Sequence, residues 1–231
     1  MTYRYLPAAS LCAAFLSFSG RFCRIINMGN EDEARNPGTP AETLTKLATD
    51  EDWRVREDVA DNPNAPGEVL DRLAEDEVWH VRWEVAKNSH STAEVLDRLS
   101  MDKNWYVRRA VADNPNTTAE TLRRLATDEN IGVRWAVAGN SNTQVDALNI
   151  LVTDRDNYIR RLVAGNPNAT ETILLMISRD RSPSVREAVA GNPKIPQEVA
   201  IRLSASKVSR IRQALAKNPS VPEHIRVGLS L

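Results

Sequence analysis

The feature that most constrains this chain is an asparagine that recurs every 26 residues without a slip. The series is Asn36, Asn62, Asn88, Asn114, Asn140, Asn166, Asn192 and Asn218. An arginine that follows Val or Ile keeps the same register, at Arg56, Arg82, Arg108, Arg134, Arg160, Arg186 and Arg212. A fixed period of this length predicts a stack of similar structural units. We therefore expect residues 28–231 to form one repeat domain of about seven and a half repeats.

Each period contains two segments that favour helix. The first carries leucines at helical spacing, such as Leu44 and Leu47, and follows the capping-box pattern Thr39-Pro40-Ala41-Glu42. The second contains the arginine and stops at the Asn-Pro step, because a residue before proline avoids helical dihedral angles. We expect this second helix to be the shorter one. Isolated helices of this length are marginal, so neighbouring repeats must cover their apolar faces.

The recurrent pattern Val-Arg-x-x-Val-Ala-x-Asn-Pro, followed by Glu-x-Leu-x-x-Leu-Ala-x-Asp, resembles the leucine-rich repeat variant family. The resemblance covers residues 34–231 and weakens at the end, where Ala200 replaces the first Leu and Ser206 replaces the Asp. It implies an all-α, HEAT-like solenoid: a right-handed superhelix of two-helix repeats, in which an α-helix pairs with a second, often 3₁₀, helix and no β-sheet forms. It also implies a scaffold. Some family members carry a Cys-rich iron–sulfur module, and the two Cys of this chain indicate that it has none.

The composition disfavours several classes of protein. The chain has 30 basic and 31 acidic residues, 42% hydrophobic and 26% charged, which is ordinary for a folded domain. Near-neutral charge removes the simplest argument for indiscriminate nucleic-acid binding. The three histidines, His80, His90 and His224, lie in different repeats and lack the spacing of metal ligands. We expect no catalytic residue, metal site or cofactor, and no membrane partner.

Residues 1–27 differ in composition from the repeats, since they hold both Cys, all three Phe and no acidic residue. We place this leader outside the fold. Its apolar stretch, residues 6–18, is typical of a secretory signal, whereas the polar segment from Met28 is typical of a natural N-terminus. Three interpretations stay open: a mis-assigned upstream start, a signal peptide, and an N-terminal helix or cap. We expect a cytoplasmic protein, or a secreted or periplasmic one if the signal is real.

The recurring polar residues favour a structural role. An acid stands six residues before each arginine, as Asp102 does before Arg108, until Ser206 breaks the series. This pattern predicts an internal ladder of Arg–Asp pairs, and a track for phosphates is the alternative. The asparagine amide is expected to satisfy free carbonyls at a helix end, because it persists where Ser89 and Ser141 replace the proline.

Function is expected where the register is kept but the residue type varies. On the second helices, the positions that point away from the Val/Ala face carry Trp, Tyr and Arg, which dominate interface energetics. We predict a partner-binding stripe of His80, Trp83, Tyr106, Arg109, Trp135, Tyr158 and Arg161. Trp83 and Trp135 are its anchors, and the alternative is that both pack sideways on the next repeat. Trp53, Trp79 and Trp105 also recur every 26 residues, just before the second helix, and for them packing between repeats is favoured.

We therefore predict a non-catalytic scaffold that binds a protein or peptide through this stripe. One alternative is a nucleic-acid binder, because Arg and aromatic side chains on one face can hold a nucleic acid. The other is a helical-repeat enzyme that acts on a flipped base or a tetrapyrrole, with an acid such as Glu84 at its centre.

Overall fold

The computed structural model describes residues 29–229, so the leader and its three interpretations lie outside the described residues. The chain divides into two compact units, Met1–His90 and Ser91–Leu231. Between residues 29 and 229 the secondary structure is α-helical, with no strand and no 3₁₀ helix. Within this range, no helix is long and apolar enough to span a bilayer.

Each repeat contributes a first and a second helix. The first helices are α2 (Ala41–Leu47), α4 (Gly67–Leu73), α6 (Ala93–Leu99), α8 (Ala119–Leu125), α10 (Val145–Leu151), α12 (Glu171–Ile177) and α14 (Gln197–Ser204). The second helices are α3 (Trp53–Asp61), α5 (Trp79–Lys87), α7 (Trp105–Asp113), α9 (Ile131–Gly139), α11 (Asn157–Gly165), α13 (Pro183–Gly191) and α15 (Ser209–Lys217). Helical residues 29–35 (α1) precede these pairs, and α16 (Glu223–Val227) follows them.

The expected order of helix lengths was wrong. The second helices have nine residues and most first helices have seven. The extra length lies at the N-terminal end, where in α7 and α11 a polar side chain caps the helix. The Asn104 side chain accepts a hydrogen bond from the backbone N–H of Tyr106, and Asp156 does the same for Tyr158. Such caps satisfy N–H groups that have no partner within the helix, so the aromatic positions join the helix.

The predicted capping box was also wrong. Three periods after Thr39, the same pattern assigns the cap of α8 to Thr117, but the cap is Thr118, one residue later. The helix α2 begins after Pro40 without any side-chain cap. The threonine assigned to the cap turns inward instead. The Thr117 hydroxyl is buried and donates to the carbonyl of Val111, six residues back at the end of α7. It therefore satisfies a carbonyl near the end of the preceding second helix. The Thr39 hydroxyl donates in the same way to the carbonyl of Glu33.

The core of each unit forms between repeats. In the second unit, one leucine from each of four first helices is fully buried: Leu96, Leu122, Leu148 and Leu174. The second helices α7, α9, α11, α13 and α15 pack on one another in sequence order, and in the first unit α3 packs on α5. The predicted stacking is thus confirmed within each unit, because each apolar helix face is covered by its neighbours.

The recurring asparagine joins each repeat to the one before it. The Asn140 amide donates to the carbonyls of Ala112 and Asn114, at 2.7 and 3.2 Å, and its Oδ1 accepts from the backbone N–H of Asn142. The same pair of amide bonds occurs at Asn62, Asn88, Asn166, Asn192 and Asn218. The amide therefore satisfies helix-end carbonyls as predicted, and those carbonyls belong to the preceding repeat.

The arginines form a ladder, but with a different acid from the one predicted. Arg108 makes a two-point contact with Asp128, twenty residues later, through Nε at 2.6 Å and Nη2 at 3.0 Å. Asp102, the acid six residues before, contributes only its backbone carbonyl, 2.8 Å from Nη1. The same pairing joins Arg56 to Asp76, Arg134 to Asp154 and Arg160 to Asp180. Each guanidinium therefore spans the junction between two repeats.

The ladder also lowers the pKa of two of its carboxylates, Asp154 and Asp180. Burial alone would raise the pKa of Asp180, but the hydrogen bonds from Arg160 and from the backbone N–H of Ser182, with the arginine charge, lower this pKa below its usual value. A carboxylate whose pKa falls on folding contributes stability above its unfolded pKa and loses it as the pH falls through the folded one. The ladder thus supports the fold at neutral pH and weakens in acid.

Ser206→Asp should stabilise the chain. Ser206 stands where the acid partner of Arg186 is expected, and the one hydrogen bond found for this guanidinium in the described residues goes to the carbonyl of Asp180. Ser206 already accepts from the backbone N–H of Val208, as each ladder acid does two residues on. A carboxylate there would add a charge-assisted contact with Arg186. We expect the free energy of unfolding, measured in urea, to rise by about 1–2 kcal/mol. Ser204→Asp, which faces no ladder arginine, is the control; equal gains would contradict the pairing.

Candidate functional site

All seven residues of the predicted stripe lie on second helices. His80 and Trp83 belong to α5 in the first unit. In the second unit, α7 carries Tyr106 and Arg109, α9 carries Trp135, and α11 carries Tyr158 and Arg161. The helical register was therefore predicted correctly, whereas the contacts of each side chain differ between the units.

In the first unit, the aromatic side chains stack across the repeat junction. The His80 ring lies 5.2 Å from the ring of Trp53 and 3.7 Å from that of Trp79, measured between centroids. Trp53 thus packs on the next repeat, as favoured from the sequence. Trp83 is half-buried, and the Nζ of Lys87 lies 4.2 Å from its ring centroid, in the geometry of a cation–π contact.

Glu84, the acid considered for an enzyme, is buried beside this tryptophan. Its carboxylate accepts a hydrogen bond from Lys87 at 2.6 Å. Burial raises the pKa of Glu84, against the opposing hydrogen bond and charge of Lys87, and the nearby Asp61 raises this pKa further. The carboxylate is closed off by the lysine, so this arrangement offers no open acid to a substrate.

In the second unit, Trp105 packs on the next second helix at a glycine. A Cβ at Gly132 would lie 3.1 Å from the Cζ3 atom of Trp105, so a larger residue would displace the ring. Gly132 is buried there, although the sequence pattern placed it on the outward face. The interpretation of Trp105 as packing between repeats is confirmed. The ring also stacks on Tyr106, whose own surface is 44% exposed.

Trp135 makes the sideways contact that was the alternative to partner binding. Its indole N–H donates to the carboxylate of Asp156 at 3.1 Å, and its ring meets Tyr158 edge to face at 5.5 Å. Asp156 is also the cap of α11, so one carboxylate fixes both the tryptophan and the helix start. The guanidinium of Arg161 lies 5.6 Å from the Tyr158 ring. Trp135 is half-buried by these contacts, and Tyr158 remains 44% exposed.

These side chains border a groove of about 410 Å³ across α7, α9 and α11. The groove, called here the aromatic groove, is lined by Arg109, Asp113, Trp135, Ala136, Tyr158 and Leu162. Arg109 and Asp113 form its charged wall, with Nε and Oδ2 3.5 Å apart. The groove thus combines two aromatic rings, an aliphatic floor and one ion pair, which is a composition suited to holding a side chain of a partner.

The sequence reasoning missed the floor of this groove. Ala136 and Leu162 occupy the sixth position of their helices, where the first unit carries Asp58 and Glu84. This change from acid to apolar residue was the available signal. In the described range, no cluster of three or more His, Cys, Asp or Glu is arranged to hold a metal ion.

One family model and one solved structure agree with this architecture. The model of the family described as leucine rich repeat variant matches residues 53–78 and 105–130. The chain is similar to a solved structure titled a leucine-rich repeat variant with a novel repetitive protein structural motif, at 24% identity and a TM-score of 0.61, over 82% of this chain and 80% of that one. It is also similar to the X-ray structure of Escherichia coli YibA, at 15% identity and a TM-score of 0.49, over 94% and 89% of the two chains. No curated protein matches the chain.

Proposed function

We propose that this chain belongs to the leucine-rich repeat variant family, whose model matches two of its repeats, and that it is a non-catalytic scaffold that binds a protein or peptide on its second helices. The observation that carries the proposal is the aromatic groove, which places Trp135, Tyr158 and Arg109 around one cavity on three consecutive repeats. Trp, Tyr and Arg are the residue types that contribute most to binding at protein interfaces.

The chemistry of the groove supports binding rather than catalysis. Its two charged side chains, Arg109 and Asp113, face each other, and its other lining residues are aromatic or aliphatic. A catalytic site needs a nucleophile beside a base, or an acid and a base whose environments separate their pKa values. Neither pairing occurs among the residues that line this groove.

The double substitution Arg109→Ala, Tyr158→Ala tests this proposal. A random peptide library displayed on phage is selected on the immobilised full chain, and the affinities of enriched peptides are measured by fluorescence anisotropy. Loss of both side chains should weaken binding at least about tenfold, which is about 1.4 kcal/mol. Both side chains are about half exposed, so the melting temperature should stay within about 4 °C.

The matched control is Arg123→Ala, Met176→Ala, which removes one exposed arginine and one exposed apolar side chain from the first helices α8 and α12. It should leave peptide affinity unchanged. Trp135→Ala is a poorer test, because it also removes the hydrogen bond to Asp156. A selection without enriched peptides, or equal affinities for the two double variants, would refute a peptide site in this groove.

A further inference from the structure

The two units carry charge of opposite sign. Residues 28–90 contain 16 acidic and 7 basic side chains, whereas residues 91–231 contain 15 acidic and 20 basic ones. The near-zero charge of the whole chain therefore hides an acidic first unit and a basic second unit. Surface potentials of this kind select the charge of a partner and speed its association.

Part of the positive charge forms a row beside the aromatic groove. Arg155, Arg181 and Lys207 each stand two residues before a second helix, namely α11, α13 and α15. All three are exposed, and within residues 29–229 none of them forms an ion pair, although the charge of Arg181 helps to lower the pKa of the adjacent Asp180. Other surface arginines nearby are paired, for example Arg210 with Glu187 at 3.1 Å. At the same register the first unit has Glu51 and Glu77, and the second unit has Lys103 and then Glu129, so the uninterrupted row belongs to the repeats of α11, α13 and α15.

A second cavity lies along this basic row. It has a volume of about 480 Å³ and is lined by Arg155, Asp156, Asn157, Arg181, Ser182 and Pro183. Asp156 connects it to the aromatic groove, because the same carboxylate accepts the indole N–H of Trp135 and caps the helix that carries Tyr158. A ligand that occupies both cavities would thus meet aromatic rings at one side and unpaired cations at the other.

We infer that the second unit binds an extended acidic peptide segment, with carboxylates against the basic row and an apolar side chain in the aromatic groove. This inference rests on the proposed function and specifies its partner. Carboxylates are the complementary groups for Arg155 and Arg181, since a guanidinium pairs with a carboxylate through two parallel hydrogen bonds. Because these cations are unpaired in the free chain, no existing ion pair has to break on binding.

The repeat spacing sets the spacing of the acids. Packed helices lie about 8–10 Å apart, so successive cations of the basic row are separated by about this distance. A peptide in the extended polyproline II conformation advances about 3.1 Å per residue with three residues per turn, so every third side chain lies on the same face and reaches the next cation. The expected ligand therefore has acidic residues at every third position, rather than an acidic cluster.

The charge of the first unit favours a peptide over a nucleic acid. A nucleic acid carries a charge on every nucleotide, and its affinity comes mainly from neutralising many phosphates. The basic row offers three cations, and the same chain carries the acidic first unit, which repels a long polyanion. A short segment with a few acids matches the row without extending far beyond it.

The test uses the full chain and short fluorescent peptides in anisotropy titrations. The first probe has three glutamates at every third position and one phenylalanine. The second has the same composition with the glutamates adjacent, the third has glutamines in place of the glutamates, and the fourth is a single-stranded oligonucleotide of similar length. We expect the first probe to bind at least about tenfold more tightly than the second and third, and more tightly than the oligonucleotide.

Arg155→Glu, Arg181→Glu is the decisive variant. Lys194→Glu, Lys217→Glu is its control with the same change of net charge, at exposed positions near the C-terminal ends of α13 and α15, whereas the row precedes the N-terminal ends of its helices. The affinity of the first variant for the spaced peptide should fall at least about tenfold, and its affinity for a version with lysines in place of glutamates should rise. The control should do neither. Equal losses in both variants, no preference for the spaced peptide, or tighter binding of the oligonucleotide would each overturn the inference.

These results remain separable from the proposed function. If library selection yields peptides that depend on Tyr158 but carry no acids and ignore Arg155 and Arg181, the peptide site stands and the acidic ligand is wrong. If library selection yields nothing and the spaced peptide does not bind, both fail.

Discussion

Asn140→Asp should lower the free energy of unfolding by about 4 kcal/mol, the largest effect that we expect from an isosteric change in this chain. The amide nitrogen that donates to the carbonyls of Ala112 and Asn114 becomes an oxygen, 2.7 and 3.2 Å from two other oxygens. Two buried carbonyls lose their donor, at about 1–3 kcal/mol each, and a buried carboxylate faces both. The measurement is urea unfolding followed by far-ultraviolet circular dichroism.

The same variant has an expected pH dependence. A carboxyl enclosed by carbonyl oxygens has a raised pKa in the folded state, since burial and nearby acceptors disfavour the charged form. A group whose pKa rises on folding favours the fold when protonated and opposes it as the pH rises. The deficit relative to the natural chain should therefore be smaller at pH 5 than at pH 8.

Asn142→Asp is the control for this position. Its amide makes one exposed hydrogen bond to the carbonyl of Pro115, so the same chemical change should cost less than about 1 kcal/mol. If the two variants lose equal stability, the asparagine series does not hold the repeats together in the way described.

Asp128→Asn should lower the free energy of unfolding by about 3 kcal/mol, because it removes the buried counter-charge of the Arg108 guanidinium at a largely buried junction. The side chains of Arg108 and Asp128 are 12% and 7% exposed. An asparagine keeps the acceptor for the backbone N–H of Asn130, so the loss reports on the ion pair and not on the turn. Urea unfolding gives the difference, and added salt should change it little, since a buried pair is weakly screened.

Glu129→Gln removes a second carboxylate from the same arginine and serves as the comparison. Glu129 lies 3.6 Å from Nη2 of Arg108 and is 91% exposed. Exposed pairs contribute little, so this variant should lose less than about 0.5 kcal/mol, and salt should abolish the difference. A loss at Glu129 that equals the loss at Asp128 would show that burial does not govern the ladder.

The period and the helical pairs could be predicted because both follow from residue types that recur at fixed spacing. The partner of each arginine could not. Because the period is 26, an acid that lies six residues before Arg108 is repeated twenty residues after it. Asp102 and Asp128 are therefore equivalent in the sequence, which does not distinguish them as partners of Arg108. Only the packing of one repeat on the next decides that Asp128 supplies its carboxylate and Asp102 its carbonyl.

The candidate site shows the same limit. Helical spacing identified the face that carries Trp135, Tyr158 and Arg161, but it could not decide between solvent and the next repeat for each ring. That choice depends on side-chain rotamers and on Asp156, which lies outside the helix and accepts the Trp135 indole N–H. Likewise, the groove floor at Leu162 was missed although its apolar residue type was a signal, because only the outward positions were considered.

The asparagine joint, meaning the three hydrogen bonds of Asn140 and of its equivalents in other repeats, has a consequence for how the number of repeats can change during evolution. Its three hydrogen bonds, at Asn140 as elsewhere, involve only main-chain atoms of their partners, so the joint does not depend on which side chains the adjacent unit carries. A duplicated or deleted segment of one full period would restore the same joint. Length can therefore vary by gene duplication in whole units, while the outer helix surface diversifies without breaking the connection.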